Sequence, residues 1–267
     1  MSAGGSPRGV AVAYRRDGDV GVISMERPDN RNSMTLELLD AFAVASAAAR
    51  ADSEARCVVV VGSGSCFSAG ADFKAQVQRG SDAGLPHERS YAMYEPFLSV
   101  LDIEVPVIAA MNGHAIGGGF GLSLLCDIRI ASKSARYGAN FCRLGLSSGL
   151  GISYLMPRVI GASRAAELLY TGRLLSGDEV VQLGLASRAV DADAVLPAAL
   201  ELAREIAVSA PLAVRATKRA MADGLEWDVR RAAWRESFAQ SATVATADFQ
   251  EGVAALLEKR EPRFTGK

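Results

Sequence analysis

The sequence predicts an α/β protein with a helical C-terminal region, and three observations carry that expectation. The run Cys57-Val58-Val59-Val60-Val61 is uninterrupted, mostly β-branched and ended by Gly62, as a strand buried on both faces should be. Strand runs of this kind alternate with segments of helical spacing. From Pro211 onward no strand candidate remains, and the apolar periodicity is that of helices with charged outer faces. The expected division is an α/β core over residues 1–205 and a helical region over 206–267, which either packs on its own core or helps assemble an oligomer.

The elements follow in order. Val10 to Tyr14 and Val20 to Met25 flank the charged turn Arg15-Arg16-Asp17-Gly18-Asp19, predicting an opening hairpin. Asn32 or Ser33 is placed to cap a helix whose apolar face is Leu36, Leu39, Phe42, Val44 and Ala47. Gly62 to Gly70 reads as a loop after the Cys57–Val61 strand, and Asp82 to Pro86 as another. His87 to Leu101 has helical spacing, and Pro106 to Met111 should be the next strand. A buried helix should begin in Gly117-Gly118-Gly119 and run through Phe120 to Cys126, followed by a strand at Ile128 to Ala131. Helices are expected at Ala162–Tyr170, Gly177–Leu183 and Ala194–Val208, with a strand at Leu185–Val190. Leu212–Ala222, Val229–Ala239 and Ala247–Lys259 complete the helical region.

Composition excludes several classes. A chain of 267 residues, 49% of them hydrophobic, can bury a substantial core without staples. Its 29 basic and 30 acidic residues give a net charge of −1, so no global field favours nucleic acid or an acidic membrane surface. Apolar stretches such as Val105 to Met111 end well short of the roughly 20 residues of a membrane span. Met1 to Gly9 offers no apolar targeting segment and reads as a frayed tail, so the expected location is cytoplasmic. Cys57, Cys66, Cys126 and Cys142 form no C-x-x-C pair and are expected as reduced thiols. His87 and His114 lack second ligands at metal spacing, so no metal site is expected.

Chemistry is best placed in two glycine-containing turns that each follow a buried strand: Phe67 to Asp72, and Asn112 to Gly119. Small residues let a ligand approach the main chain there, and a helix starting in glycines leaves free N–H groups at the positive end of its dipole. Together the turns suit an oxyanion. A dinucleotide site would instead need G-x-G-x-x-G after the first strand, and the opening hairpin has nothing similar.

Along nearly its whole length the chain resembles the enoyl-CoA hydratase/isomerase (crotonase) family. The matching stretches are Arg27-Pro28-Asp29-Asn30-Arg31-Asn32, Phe67 to Asp72, Val105 to Gly113 with its following glycines, Cys126-Asp127-Ile128, Gly161 to Gly172, and Asp248 to Phe264. The resemblance implies a spiral of β-β-α turns with a C-terminal helical trimerisation region, assembled as a homotrimer or a dimer of trimers. It implies an acyl-coenzyme A thioester as substrate or ligand and no permanently bound cofactor. By the same likeness Ala71 and Gly118 supply the two backbone N–H groups of an oxyanion hole. Ala69, Asp72, Phe73, Lys74, Gly117 and Arg27 would border the coenzyme A channel, with Lys218, Lys259 and Arg260 as further candidates for its phosphates.

The departures from the family matter as much. Family hydratases place one glutamate just after the Gly-Gly-Gly-x run and another in the loop after the next strand; here those positions are Gly121 and Phe141. A third family carboxylate position, eight residues beyond Phe141, is Gly149. Hydration needs a base for water and an acid for the α-carbon, each contributing roughly 10²–10⁴-fold. Ordinary hydration is therefore not expected, and the three replacements are expected to open space bounded by an apolar wall. Tyr94, Glu95 and His87 read first as surface or rim residues and second as stand-in acid-base groups. Ser147 or Ser148 reads as a cap for the following helix, Cys142 as an inert buried thiol, His114 as packing behind the glycine loop, and Asp72 as a turn-fixing residue. Three functions remain open: an acyl-CoA enzyme other than a hydratase, a non-catalytic acyl-CoA binder, or an interaction protein with a vestigial pocket.

Overall fold

The computed structural model describes residues 10–72 and 85–267. The opening hairpin is β1 (Val12–Asp17) and β2 (Val20–Met25), paired antiparallel with Val12 opposite Met25. Helix α1 (Leu36–Ala51) follows. Its cap is neither Asn32 nor Ser33 but Thr35, whose hydroxyl accepts the Leu38 N–H at 3.2 Å. Asn32 is withheld from capping because its side chain is spent elsewhere, as described below.

Strands β3 (Cys57–Gly62), β5 (Val107–Met111), β7 (Ile128–Ser132) and β9 (Arg188–Val190) join the hairpin in one six-stranded sheet of order β1-β2-β3-β5-β7-β9, parallel from β2 onward. Three very short strands, β4 (Cys66–Ser68), β6 (His114–Ile116) and β8 (Tyr137–Gly138), form a second parallel sheet in that order from β4 to β8. The chain thus visits the large sheet and then the small one three times in succession. β4 lies inside the Gly62–Gly70 stretch expected as a loop and β6 inside the Asn112–Gly119 glycine turn; runs of two or three residues carry no readable period.

Both faces of the large sheet are covered. Val58 and Val60 of β3 pack with Leu38, Leu39 and Phe42 of α1, while Cys57, Val59 and Val61 pack with Val195, Ala199 and Ala203 of a later helix (Val195–Ala207). This alternation along one apolar strand is why the run has no polar face. The expected His87–Leu101 helix divides into α2 (Pro86–Ala92), α3 (Glu95–Leu98) and a 3₁₀ turn, Ser99–Asp102. Pro96 lacks an N–H donor and is tolerated only in a first turn, so the helix restarts there.

Helix α4 (Gly118–Leu125) begins in the glycines as expected and is buried throughout. It is followed, after β7 and β8, by the 3₁₀ turn Phe141–Leu144 and α5 (Ile152–Ile160), which contains Pro157 and whose bounds the sequence pattern did not give. Then come α6 (Ala162–Thr171), α7 (Gly177–Gln182), α8 (Val195–Ala207), α9 (Pro211–Met221), α10 (Leu225–Val244) and α11 (Ala247–Glu258). The last helices close on their own core. Val229 and Ala233 of α10 join the main apolar cluster, and a Cβ on Gly252 of α11 would lie 2.6 Å from the Leu144 carbonyl oxygen. No helix among the described residues is long and apolar enough to cross a membrane.

Candidate functional site

The two glycine turns, more than 40 positions apart in the chain, meet. A Cβ on Gly70 would lie 2.6 Å from the Ile116 carbonyl oxygen and 3.2 Å from the Gly118 nitrogen. Gly70 also has φ +77°, so a side chain is excluded there both by space and by backbone conformation. On the other side of the same contact, a Cβ on Gly119 would lie 2.3 Å from the Ser68 carbonyl oxygen.

Segment 31–34 braces the first turn. Ala69 N–H donates to Arg31 O at 3.0 Å, Met34 N–H donates to Gly70 O at 2.8 Å, and Met34 and Ala71 form a parallel bridge. Asn32 is the hub. Fully buried, with φ 52°, it accepts the Arg27 N–H on Oδ1 at 2.8 Å and donates from Nδ2 to Ser63 O at 3.0 Å and Cys66 O at 2.8 Å. Its own carbonyl accepts the Ser68 hydroxyl at 2.8 Å.

In this setting neither the Ala71 nor the Gly118 N–H has a hydrogen-bond partner among the described residues. Gly118 is the first residue of α4, after Gly117, so its amide belongs to the unsatisfied positive end of that helix. Met34 covers the same spot: its Sδ would lie 2.3 Å from a Cβ on Gly118.

Gly121, Phe141 and Gly149, expected to open space, are closely packed instead. A Cβ on Gly121 would lie 2.7 Å from Leu150 Cδ2 and 3.0 Å from Ile152 Cδ1. Phe141 is buried, with Cζ 3.9 Å from where a Gly117 Cβ would be. A Cβ on Gly149 would lie 2.4 Å from the Tyr94 hydroxyl oxygen. Leu150 and Ile152 therefore fill the space beside Gly121, and the Tyr94 hydroxyl and Gln240 amide the space beside Gly149.

Tyr94 is buried rather than at a rim. Its hydroxyl donates to Gln240 Oε1 of α10 at 2.8 Å, and Gln240 Nε2 donates to Ser147 O at 3.0 Å. Burial pushes the phenol well above its ordinary range, opposed by the Gln240 hydrogen bond. It stays protonated at neutral pH. Glu95 is exposed, and His87 stacks on Phe238 at 3.9 Å between centroids and contacts Trp234 edge-on.

Other expected roles are corrected. Neither Ser147 nor Ser148 caps α5. The Ser148 hydroxyl donates at 3.2 Å to Glu236, whose carboxylate does the capping, while the Ser147 hydroxyl is buried without a partner among the described residues. Cys142 is exposed, not buried. His114 Nδ1 accepts the Arg136 N–H at 2.9 Å, which ties the glycine loop to its neighbour. Arg27 is answered by Glu37, Lys218 Nζ by Asp127 Oδ2 and Val105 O at 2.8 Å each, and Arg260 by Glu251 and Glu258, so these charges already have protein partners. Phe73 and Lys74 lie outside the described residues. Ala69, Ala71, Asp72, Gly117 and Gly118 are brought together; Arg27 and the C-terminal cations are not part of that cluster.

A buried, mostly parallel α/β core with two amides on facing glycine turns, unpartnered among the described residues, defines a class of protein, and known proteins resolve which. The family described as enoyl-CoA hydratase/isomerase matches residues 15–267, and the chain belongs to it. Its fold is the crotonase spiral, the class expected from the sequence. The putative enoyl-CoA hydratase/isomerase YngF of Bacillus subtilis is 35% identical over 247 residues, covering 92% of this chain and 94% of YngF. The crotonyl-CoA hydratase of Syntrophomonas wolfei is 33% identical over 257 residues, covering 96% and 98%. The crystal structure of enoyl-CoA hydratase/isomerase from Pseudoalteromonas atlantica superposes with a TM-score of 0.85 at 31% identity, covering 96% of this chain and 100% of that one. The family acts on CoA thioesters.

Proposed function

We propose that this protein binds an acyl-CoA thioester, polarises its carbonyl with the Ala71 and Gly118 amides, and carries out a reaction other than hydration. The observation that carries the reading is the pair of unpartnered N–H groups on turns that touch at Gly70. A thioester enolate gathers negative charge on one oxygen, and donors fixed before the reaction stabilise that charge more than the neutral carbonyl. The Tyr94 hydroxyl, beside Gly149, is the candidate donor of a proton to an enolate carbon. It does not remove one. Reactions that generate the enolate without a protein base, or that only need the carbonyl polarised, fit this set of groups. A non-catalytic acyl-CoA binder is the second reading, favoured by the hydrocarbon packed at Gly121. Assembly as a homotrimer or dimer of trimers in the cytoplasm completes the proposal, supported by the exposed Leu212, Met221 and Trp227 on the C-terminal helices.

The test pairs Gly118→Pro with Gly118→Ala. Proline is tolerated at the first position of a helix but removes the N–H; alanine adds a Cβ and keeps the N–H. In a panel of acyl-CoA thioesters, turnover by the proline variant should fall roughly 10²–10³-fold below that of the alanine variant. Measurable turnover by the alanine variant matched by the proline variant refutes the oxyanion role, and absence of turnover by the wild type with retained binding supports the binder.

A further inference from the structure

The wall beside Gly121 rests on unusual backbone. Leu150 is fully buried with φ 62°, in the left-handed region that a branched side chain enters at a steric cost, and Gly151 follows at φ 73°. Such a conformation persists only where its neighbours hold it.

One side chain supplies the hold. Glu236, one turn before Gln240 on α10, accepts the Gly151 N–H on Oε2 at 2.6 Å, and on Oε1 the Ser153 N–H at 2.9 Å and the Ser148 hydroxyl at 3.2 Å. The carboxylate is buried and forms no ion pair among the described residues. Burial pushes its pKa up, opposed by the hydrogen bonds from Ser153, Gly151 and Ser148. All three groups donate, which suits the ionised form, and the positive end of α5 faces its charge. Nothing in the proposed chemistry uses Glu236. Helix α10 thus reaches the loop twice, with Glu236 on Gly151 and Ser153, and with Gln240 on Ser147 and Tyr94.

We propose that Glu236 is a positioning residue for acyl-chain length: by bracing the 147–153 loop it holds Leu150 and Ile152 against Gly121 and Gly149 against Tyr94, so that short acyl groups fit and long ones do not. The inference rests on the acyl-CoA reading above. It makes α10 of the same chain part of the specificity element.

The experiment measures affinity of the full-length protein for free CoA, butyryl-CoA and dodecanoyl-CoA by calorimetry, in the wild type, Glu236→Gln and Ser148→Ala. The wild type should prefer butyryl-CoA. Glutamine keeps the volume but turns one acceptor into a donor facing an N–H, so the butyryl-to-dodecanoyl preference should shrink on the order of tenfold, with free CoA affinity unchanged. Ser148→Ala, which removes one donor at a partly exposed position, should shrink it less, and it carries the test if the glutamine variant does not fold. An unchanged preference in both variants, a wild-type preference for dodecanoyl-CoA, or equal losses for all three ligands overturns the proposal. A wild type that binds none of the three refutes the acyl-CoA reading itself, a failure visible before any substitution is made.

Discussion

Replacing Gly121 by alanine puts two physical rules in opposition. In an exposed helix the change stabilises by about 0.5–1 kcal/mol, because glycine loses more backbone entropy on folding. Here the new Cβ would stand 2.7 Å from Leu150 Cδ2 and 3.0 and 3.2 Å from Ile152 Cδ1 and Cγ1. Leu150 is held on unusual backbone, so it does not swing away freely. Overpacking of this kind costs roughly 1–3 kcal/mol, and the net expectation is destabilisation of about 0.5–2 kcal/mol. Leu150→Ala alone should cost about 2–5 kcal/mol through the cavity it leaves. Because each change relieves the other, the double variant should be more stable than the sum predicts by about 1–2 kcal/mol. Urea unfolding at one fixed protein concentration measures all three, with the slope unchanged if only stability has moved. A Gly121→Ala variant more stable than the wild type, or a cycle additive within about 0.5 kcal/mol, refutes the packing argument.

Further outcomes follow from the same geometry. Hydration of crotonyl-CoA, followed by loss of enoyl absorbance, should be negligible, and Gly121→Glu with Phe141→Glu should not create it unless Leu150 and Ile152 are also shortened; family-typical turnover by the wild type defeats this. Thiol titration at pH 8 should find Cys142, the exposed one of the four, reactive first and the other three unreactive until denaturant is added; burial raises all four thiols, Cys57 and Cys126 to about 12, so exposure decides the order; rapid reaction of three or four native thiols contradicts it. The Arg260 hydrogen bonds, with that from the Arg263 N–H, hold the Glu251 carboxyl at about 2. Since this folded-state value is depressed, the stabilisation is present above the ordinary value of 4.5 and is lost as pH falls toward about 2. The Arg263 amide resonance should therefore titrate near 2, moving upward in high salt; a midpoint near 4.5 shows the contact is not formed in solution.

The sequence determined what local chemistry can specify. The β-branched run at Cys57–Val61 announced a doubly buried strand, Gly117 to Gly119 announced a helix starting in glycine, and the motifs from Arg27 to Phe264 announced the family. It also showed that Gly121, Phe141 and Gly149 cannot transfer protons, since that depends on side-chain identity alone. Tertiary structure decided what packs against those three positions. Leu150, Ile152, Tyr94 and Gln240 reach them from separate parts of the chain, and no local periodicity encodes a meeting of residues up to 146 positions apart. Asn32 shows the same division: Asn before a helix signals a cap, yet its left-handed backbone and burial aim its amide at Ser63 and Cys66 instead. Capping is a local contest that Thr35 wins, because the long-range hydrogen bonds of Asn32 satisfy carbonyls that the packed core has already removed from water.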